Sequence, residues 1–312
     1  MRKIALLFPG QGSQASGMGL DLYENFEIAK ETFEKIDKIL GRKISDICFK
    51  GSDEDLKQTI NTQPALLAVS TVAYEVLKKE TGIEPSYLAG HSLGEYGALY
   101  ASGALNLENT FKAIEKRAEL MQNVAKSGMG RMAAILGLEA SRVEENIRSL
   151  SSVFVANYNE PNQTVITGRG ENVIMACDIL KGQGAKRAIP LAVSGAFHSP
   201  YMQGAADSFK EFVNNLEIND AKIPVITNVD AEITTDKEEI RKKMPKQISS
   251  SVQWTKTIQK MLENGVDTFI EVGQGKVLSG LVKKIAPENT TILNISDKIS
   301  LENIIEELKN DR

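Results

Sequence analysis

The chain is poor in the residues that most often build metal and redox centres: 2 cysteines, 2 histidines and 1 tryptophan among 312 residues. Cys48 and Cys177 lie far apart in no ligand-like spacing, so neither a metal site nor a disulfide framework is expected. Long apolar runs are missing too. The stretch after Met1-Arg2-Lys3 stops at Pro9, too early for a signal-peptide core or a spanning helix. Excess positive charge is also absent. The net charge is −4 with both signs interspersed, which argues against nucleic acid as a main partner. These absences lead us to expect a cytoplasmic protein with no membrane association, no metal and no bound cofactor.

What is present suffices for a large core. Apolar residues make up 42% and charged residues 25%, ordinary values for a globular chain. Residues 3–8 form a short apolar run ended by Pro9-Gly10, the pattern of a buried strand. Helical patterns follow over 23–40 and 63–79. A strand is expected at 87–89 and another helix at 93–101. Alternation of this kind predicts an α/β layer around a parallel sheet. The middle of the chain changes character. Strands over 131–136, 153–156, 164–167 and 186–191, with helices over 141–150 and 171–182, give the β-α-β-β-α-β order of a ferredoxin-like unit. Residues 128–194 are therefore read as a small subdomain inserted into a large one made of 1–127 and 195–312. Strands at 224–228 and 266–272 resume the large layer.

Gly90-His91-Ser92-Leu93-Gly94 matches G-x-S-x-G between a predicted strand and a predicted helix. A turn that sharp needs small residues beside the serine. It would leave Ser92 at a helix start, where free N–H groups favour developing negative charge. The plainer alternative is a glycine-flanked serine in an ordinary turn. A nucleophilic serine needs a base. His91 is its neighbour in sequence, and adjacent side chains diverge at such a turn, so His91 is read as a supporting residue. His198 remains, just before Pro200 at an expected helix start. A positive helix end there would keep the imidazole neutral. No aspartate stands out as a third member, so a backbone carbonyl or an amide side chain is expected to orient the ring.

Gly10-Gln11-Gly12-Ser13-Gln14-Ala15 satisfies G-x-G-x-x-A after the first strand. The dinucleotide reading fails on its second half. A strand ending in an acid is required about 20 residues on, and that region is helix-like. Instead, the glycines would let the Gln11 N–H approach a reacting carbonyl and form an oxyanion hole with the Leu93 N–H.

These residues together resemble the malonyl-CoA:acyl carrier protein transacylases. The likeness rests on Phe8-Pro9-Gly10-Gln11-Gly12-Ser13-Gln14, Thr62-Gln63-Pro64-Ala65, Gly90-His91-Ser92-Leu93-Gly94-Glu95-Tyr96 and Arg117 with Met121-Gln122. It continues through Phe197-His198-Ser199, Val252-Gln253-Trp254 and Glu271-Val272-Gly273, in order along nearly the whole chain. The resemblance implies an α/β hydrolase-like large subdomain with the ferredoxin-like insertion. It implies that Ser92 takes a malonyl group as an ester, with His198 as base and then acid and with Gln11 and Leu93 as oxyanion donors. Gln253 would orient His198 through its backbone carbonyl. Arg117 would hold the malonyl carboxylate; by itself it reads as a surface arginine paired with a glutamate of its own helix. Phe197 resembles the malonyl-selective version, its ring leaving little room for a methyl on the malonyl α-carbon. Malonyl-CoA and acyl carrier protein are the implied partners, with coenzyme A arriving only as a thioester substrate. Fatty-acid synthesis is the expected setting. Carrier proteins are commonly acidic, which makes Lys181, Lys186, Arg187, Lys276, Lys283 and Lys284 candidate docking residues.

Overall fold

The structure, a computed structural model, describes residues 2–193 and 195–309. Its strands in chain order are β1 (Ile4–Phe8), β2 (Tyr87–Gly90), β3 (Gly130–Leu136), β4 (Val153–Glu160) and β5 (Gln163–Arg169). β6 (Arg187–Pro190), β7 (Val225–Ile226), β8 (Ile233–Thr234), β9 (Thr268–Val272) and β10 (Thr291–Ile295) follow. One sheet runs β10-β9-β1-β2-β7-β8, parallel except for β8, which pairs antiparallel with β7.

Every residue of β1 is buried, because helices cover both faces of the sheet. Alternation divides the strand between two cores. Ile4, Leu6 and Phe8 join the helix Thr59–Thr81, while Ala5 and Leu7 join Trp254, Ile258 and Phe269. The helix Thr59–Thr81 is buried on nearly every side from Thr62 to Tyr74, which explains its lack of a polar face.

The second sheet is antiparallel, in the order β4-β5-β3-β6. The helices Ala140–Ile147 and Gly170–Gly182 contribute Val143, Ile147, Val173, Ala176 and Leu180 to a separate core beneath it. The expected boundary at Ser194 lies outside the described residues.

Several boundaries differ from expectation. The helix predicted over 23–40 is two helices, Leu20–Asn25 and Glu27–Leu40, because Phe26 takes extended angles (φ −130°, ψ 125°). The strand expected over 224–228 is only Val225–Ile226. Beyond it the chain turns, and the Asn228 side chain bonds to Gly90 at the end of β2 and to Ser92 in the loop that follows.

Candidate active site

The register Phe8↔Gly90 brings the loops after β1 and β2 out of the sheet side by side, at the carboxyl ends of two parallel strands. Their close approach requires glycine. A Cβ on Gly90 would lie 1.9 Å from the Gly94 carbonyl, and one on Gly94 would lie 2.1 Å from the Phe8 carbonyl oxygen. Between them Ser92 has φ 53°, the left-handed region that a serine adopts only under constraint. Ser92–Gly94 is a single 3-10 turn, and the α-helix begins at Glu95.

Two amide side chains hold that conformation. The Ser92 N–H donates to Asn228 Oδ1 at 2.7 Å, and Gln247 Nε2 donates to the Ser92 carbonyl at 2.7 Å. Neither residue is expected from the sequence. Gln247 sits in the lysine-rich helix Lys237–Ser249, yet it is fully buried.

His198 Nε2 lies 2.8 Å from Ser92 Oγ. His198 is itself left-handed, with φ 55°. Its Nδ1 faces the carbonyls of Gln247 at 3.0 Å and Ser250 at 3.1 Å. Two acceptors there place the ring proton on Nδ1 and leave Nε2 free to accept from the serine. The expected orienting carbonyl, that of Gln253, is corrected by this geometry. The Gln253 carbonyl accepts from the Thr257 N–H inside the helix it begins. Gln253 instead lines a groove of about 570 Å³ that opens on His198 beside Ser250 and Ser251. The cause of ring neutrality also differs from expectation. Burial, then the nearby Arg117 charge, drives the His198 pKa down to about 3.

Arg117 does not pair with a glutamate of its helix, Leu107–Ala125; it is buried, with 1% exposure. Nη1 donates to Gln63 Oε1 at 2.6 Å, and Nη2 donates to Gln247 Oε1 at 2.8 Å and Ser92 Oγ at 3.1 Å. The guanidinium lies over the Tyr96 ring, 5.7 Å from its centroid. Among the described residues no carboxylate forms an ion pair with it. Burial pulls its pKa down, yet a guanidinium stays charged. The site therefore contains a desolvated cation whose hydrogen bonds go to neutral groups, with the buried Glu95 carboxylate near enough to favour its charge.

The Gln11 and Leu93 N–H groups have no partner among the described residues. They stand in the two adjoining loops. His91 points elsewhere. Its Nε2 meets Asn159 Oδ1 at 2.9 Å and its ring packs 5.4 Å from Trp254, so it braces the turn against β4. Phe197 is buried in the main core beside Gly195 and Ala125. The candidate docking residues Lys181, Lys186, Arg187, Lys276, Lys283 and Lys284 are all exposed, and none lines the groove at His198.

A serine on a constrained strand-to-helix turn, a neutral histidine at its hydroxyl and free N–H groups beside it make up the equipment of an acyl-transfer enzyme. The chain belongs to the acyl transferase domain family, whose model matches residues 5–310. The malonyl CoA-acyl carrier protein transacylase of Bacillus subtilis is 46% identical to it over 315 residues, covering 100% of this chain and 99% of that protein. The transacylase of the same name from Staphylococcus aureus is 43% identical over 289 residues, 91% of this chain and 93% of that protein. Among solved structures, an acyl carrier protein S-malonyltransferase from Vibrio cholerae matches with a TM-score of 0.93 at 40% identity, over 97% of this chain and 99% of that one. A malonyl-transacylase in complex with its type II PKS acyl-carrier protein matches with a TM-score of 0.94 at 38% identity, over 98% of this chain and 99% of that one.

Proposed function

We propose that the chain moves a malonyl group from malonyl-CoA to the phosphopantetheine thiol of an acyl carrier protein, through a malonyl ester on Ser92, and so supplies malonyl-carrier protein for fatty-acid synthesis. The observation that carries the malonyl reading is Arg117. It is a buried cation with no carboxylate in ion-pair contact among the described residues, 3.1 Å from the Ser92 hydroxyl, and the Glu95 carboxylate acts on it only through space. A malonyl thioester brings the missing carboxylate and places its carbonyl at the serine.

In the first half-reaction the Ser92 proton passes to His198 Nε2 as Oγ attacks the thioester carbon. The Gln11 and Leu93 N–H groups receive the oxyanion. The C–S bond breaks, and the proton on Nε2 goes to the departing thiolate. In the second half-reaction His198 takes the proton of the carrier thiol, whose sulfur attacks the malonyl ester. The C–O bond breaks and Ser92 recovers its proton. The Gln247 and Ser250 carbonyls hold the imidazolium through Nδ1–H, the part that a carboxylate plays in other serine enzymes. Phe197 belongs to this reading as the residue that limits branching at the malonyl α-carbon.

The finer architecture is part of the same proposal. The sheet order β4-β5-β3-β6, with a helix after β3 and after β5, supports a ferredoxin-like subdomain over 128–194 inserted in a hydrolase-like one. No described helix is long and apolar enough to cross a membrane; a cytoplasmic setting is our reading. Supplying malonyl-CoA with and without carrier protein tests the function. Malonyl-carrier protein should accumulate, with little free malonate. Free malonate formed at the transfer rate would make the chain a hydrolase.

A further inference from the structure

We infer that Asn228 is a positioning residue for the nucleophile turn, anchored by Glu95, and that it determines which backbone N–H groups face the oxyanion. The inference rests on the reading of Ser92 as the nucleophile.

All four polar ends of Asn228 are engaged, and the residue is fully buried. Its Oδ1 accepts the Ser92 N–H at 2.7 Å, and its Nδ2 donates to the Gly90 carbonyl at 2.7 Å. Its own N–H donates to Glu95 Oε2 at 2.6 Å, and its carbonyl accepts from the Gln253 N–H at 2.9 Å. β2 pairs with β7 only at Leu88↔Val225. Past that point the Asn228 amide bonds to Gly90 and Ser92 as a neighbouring backbone would, spanning the turn where the sheet has ended. The carboxylate behind it is no surface group. Glu95 is 2% exposed, and burial lifts its pKa to about 7. A buried acid is costly to keep, so its bond to Asn228 needs a reason.

That reason lies in the three N–H groups of the two adjoining loops, from Gln11, Ser92 and Leu93. With the Ser92 N–H bound to Asn228, only those of Gln11 and Leu93 remain for the oxyanion. The same bond holds Ser92 at φ 53°, the angle that carries Oγ to His198. Loss of Asn228 would free the Ser92 backbone to relax and misalign both groups at once. Arg117, held by Gln63 and Gln247, would stay in place. Substrate binding and acylation should therefore separate.

The test is single-turnover acylation of Ser92 by malonyl-CoA, followed by mass spectrometry across substrate concentrations, in Asn228→Ala and Asn228→Asp. Thermal melting identifies the folded variants, and either one decides the matter. The acylation rate constant should fall by about 100-fold, the scale for disturbing an oxyanion donor, with half-saturation within about threefold of wild type. Glu95→Ala should lower the rate in the same way, and Glu95→Gln, which keeps an acceptor for the Asn228 N–H, should recover most of it. A folded Asn228 variant that acylates within about threefold of wild type, or that loses only affinity, overturns the inference. An unlabelled wild-type Ser92 would instead overturn the reading of the nucleophile.

Discussion

Arg117 Nη2 lies 3.1 Å from Ser92 Oγ, so the cation and the hydroxyl touch before any substrate arrives. An incoming carboxylate that binds the guanidinium is thereby within one acyl unit of the serine. Arg117→Ala should cost malonyl transfer about 2–5 kcal/mol, the scale for truncating one partner of a buried charge pair. Acetyl transfer, which brings no carboxylate, should lose far less. Parallel assays of malonyl-CoA and acetyl-CoA check this, and equal losses would remove Arg117 from the selectivity role.

The depressed His198 pKa makes a prediction about pH. An ordinary histidine is half protonated near 6.5, whereas burial and Arg117 take His198 to about 3. The base should therefore stay available from about pH 8 down past about pH 5. Single-turnover acylation of Ser92 in Glu95→Gln, which lacks the other buried group that titrates in this range, should show no inflection near 6.5; one there would contradict the assignment. The shift also has a cost to folding. Below 6.5 the unfolded histidine takes up a proton that the folded one refuses, so this group's contribution to stability falls as pH drops toward 3.

Strain at the turn predicts a difference between two inactive variants. Ser92→Ala keeps a side chain at φ 53°, and Ser92→Gly relieves it. The glycine variant should be more stable by roughly 1 kcal/mol, the usual scale of left-handed strain. Denaturant melts of both proteins measure the difference. A less stable glycine variant would mean that the surrounding bonds do not impose the angle.

Much of this site is legible in sequence because its chemistry needs particular residues. Gly90 and Gly94 flank a turn that a Cβ would block, and two histidines leave few choices of base. The parallel core is legible too, since buried strands such as β1 read as unbroken apolar runs. The supporting contacts are not. A backbone carbonyl has no side-chain signature, so nothing in the chain distinguishes Gln247 or Ser250 from Gln253 as the acceptor at His198. Asn228 reads as the last residue of a strand over 224–228, and only the fold takes it out of the sheet and brings it across 136 positions to Ser92. Arg117 looks like one more charge on an amphipathic helix until the helix packs that face inward. Phe26 breaks a helix without a glycine or proline to announce it.

The most direct test of the central claim is mass spectrometry of the folded protein mixed with malonyl-CoA, before any carrier protein is added. One malonyl adduct on the Ser92 peptide is expected. It should be absent from Ser92→Ala and discharged when carrier protein bearing a phosphopantetheine thiol is supplied. A wild-type protein that transfers malonyl to the carrier while Ser92 stays unmodified, or an adduct that persists in Ser92→Ala, would contradict it.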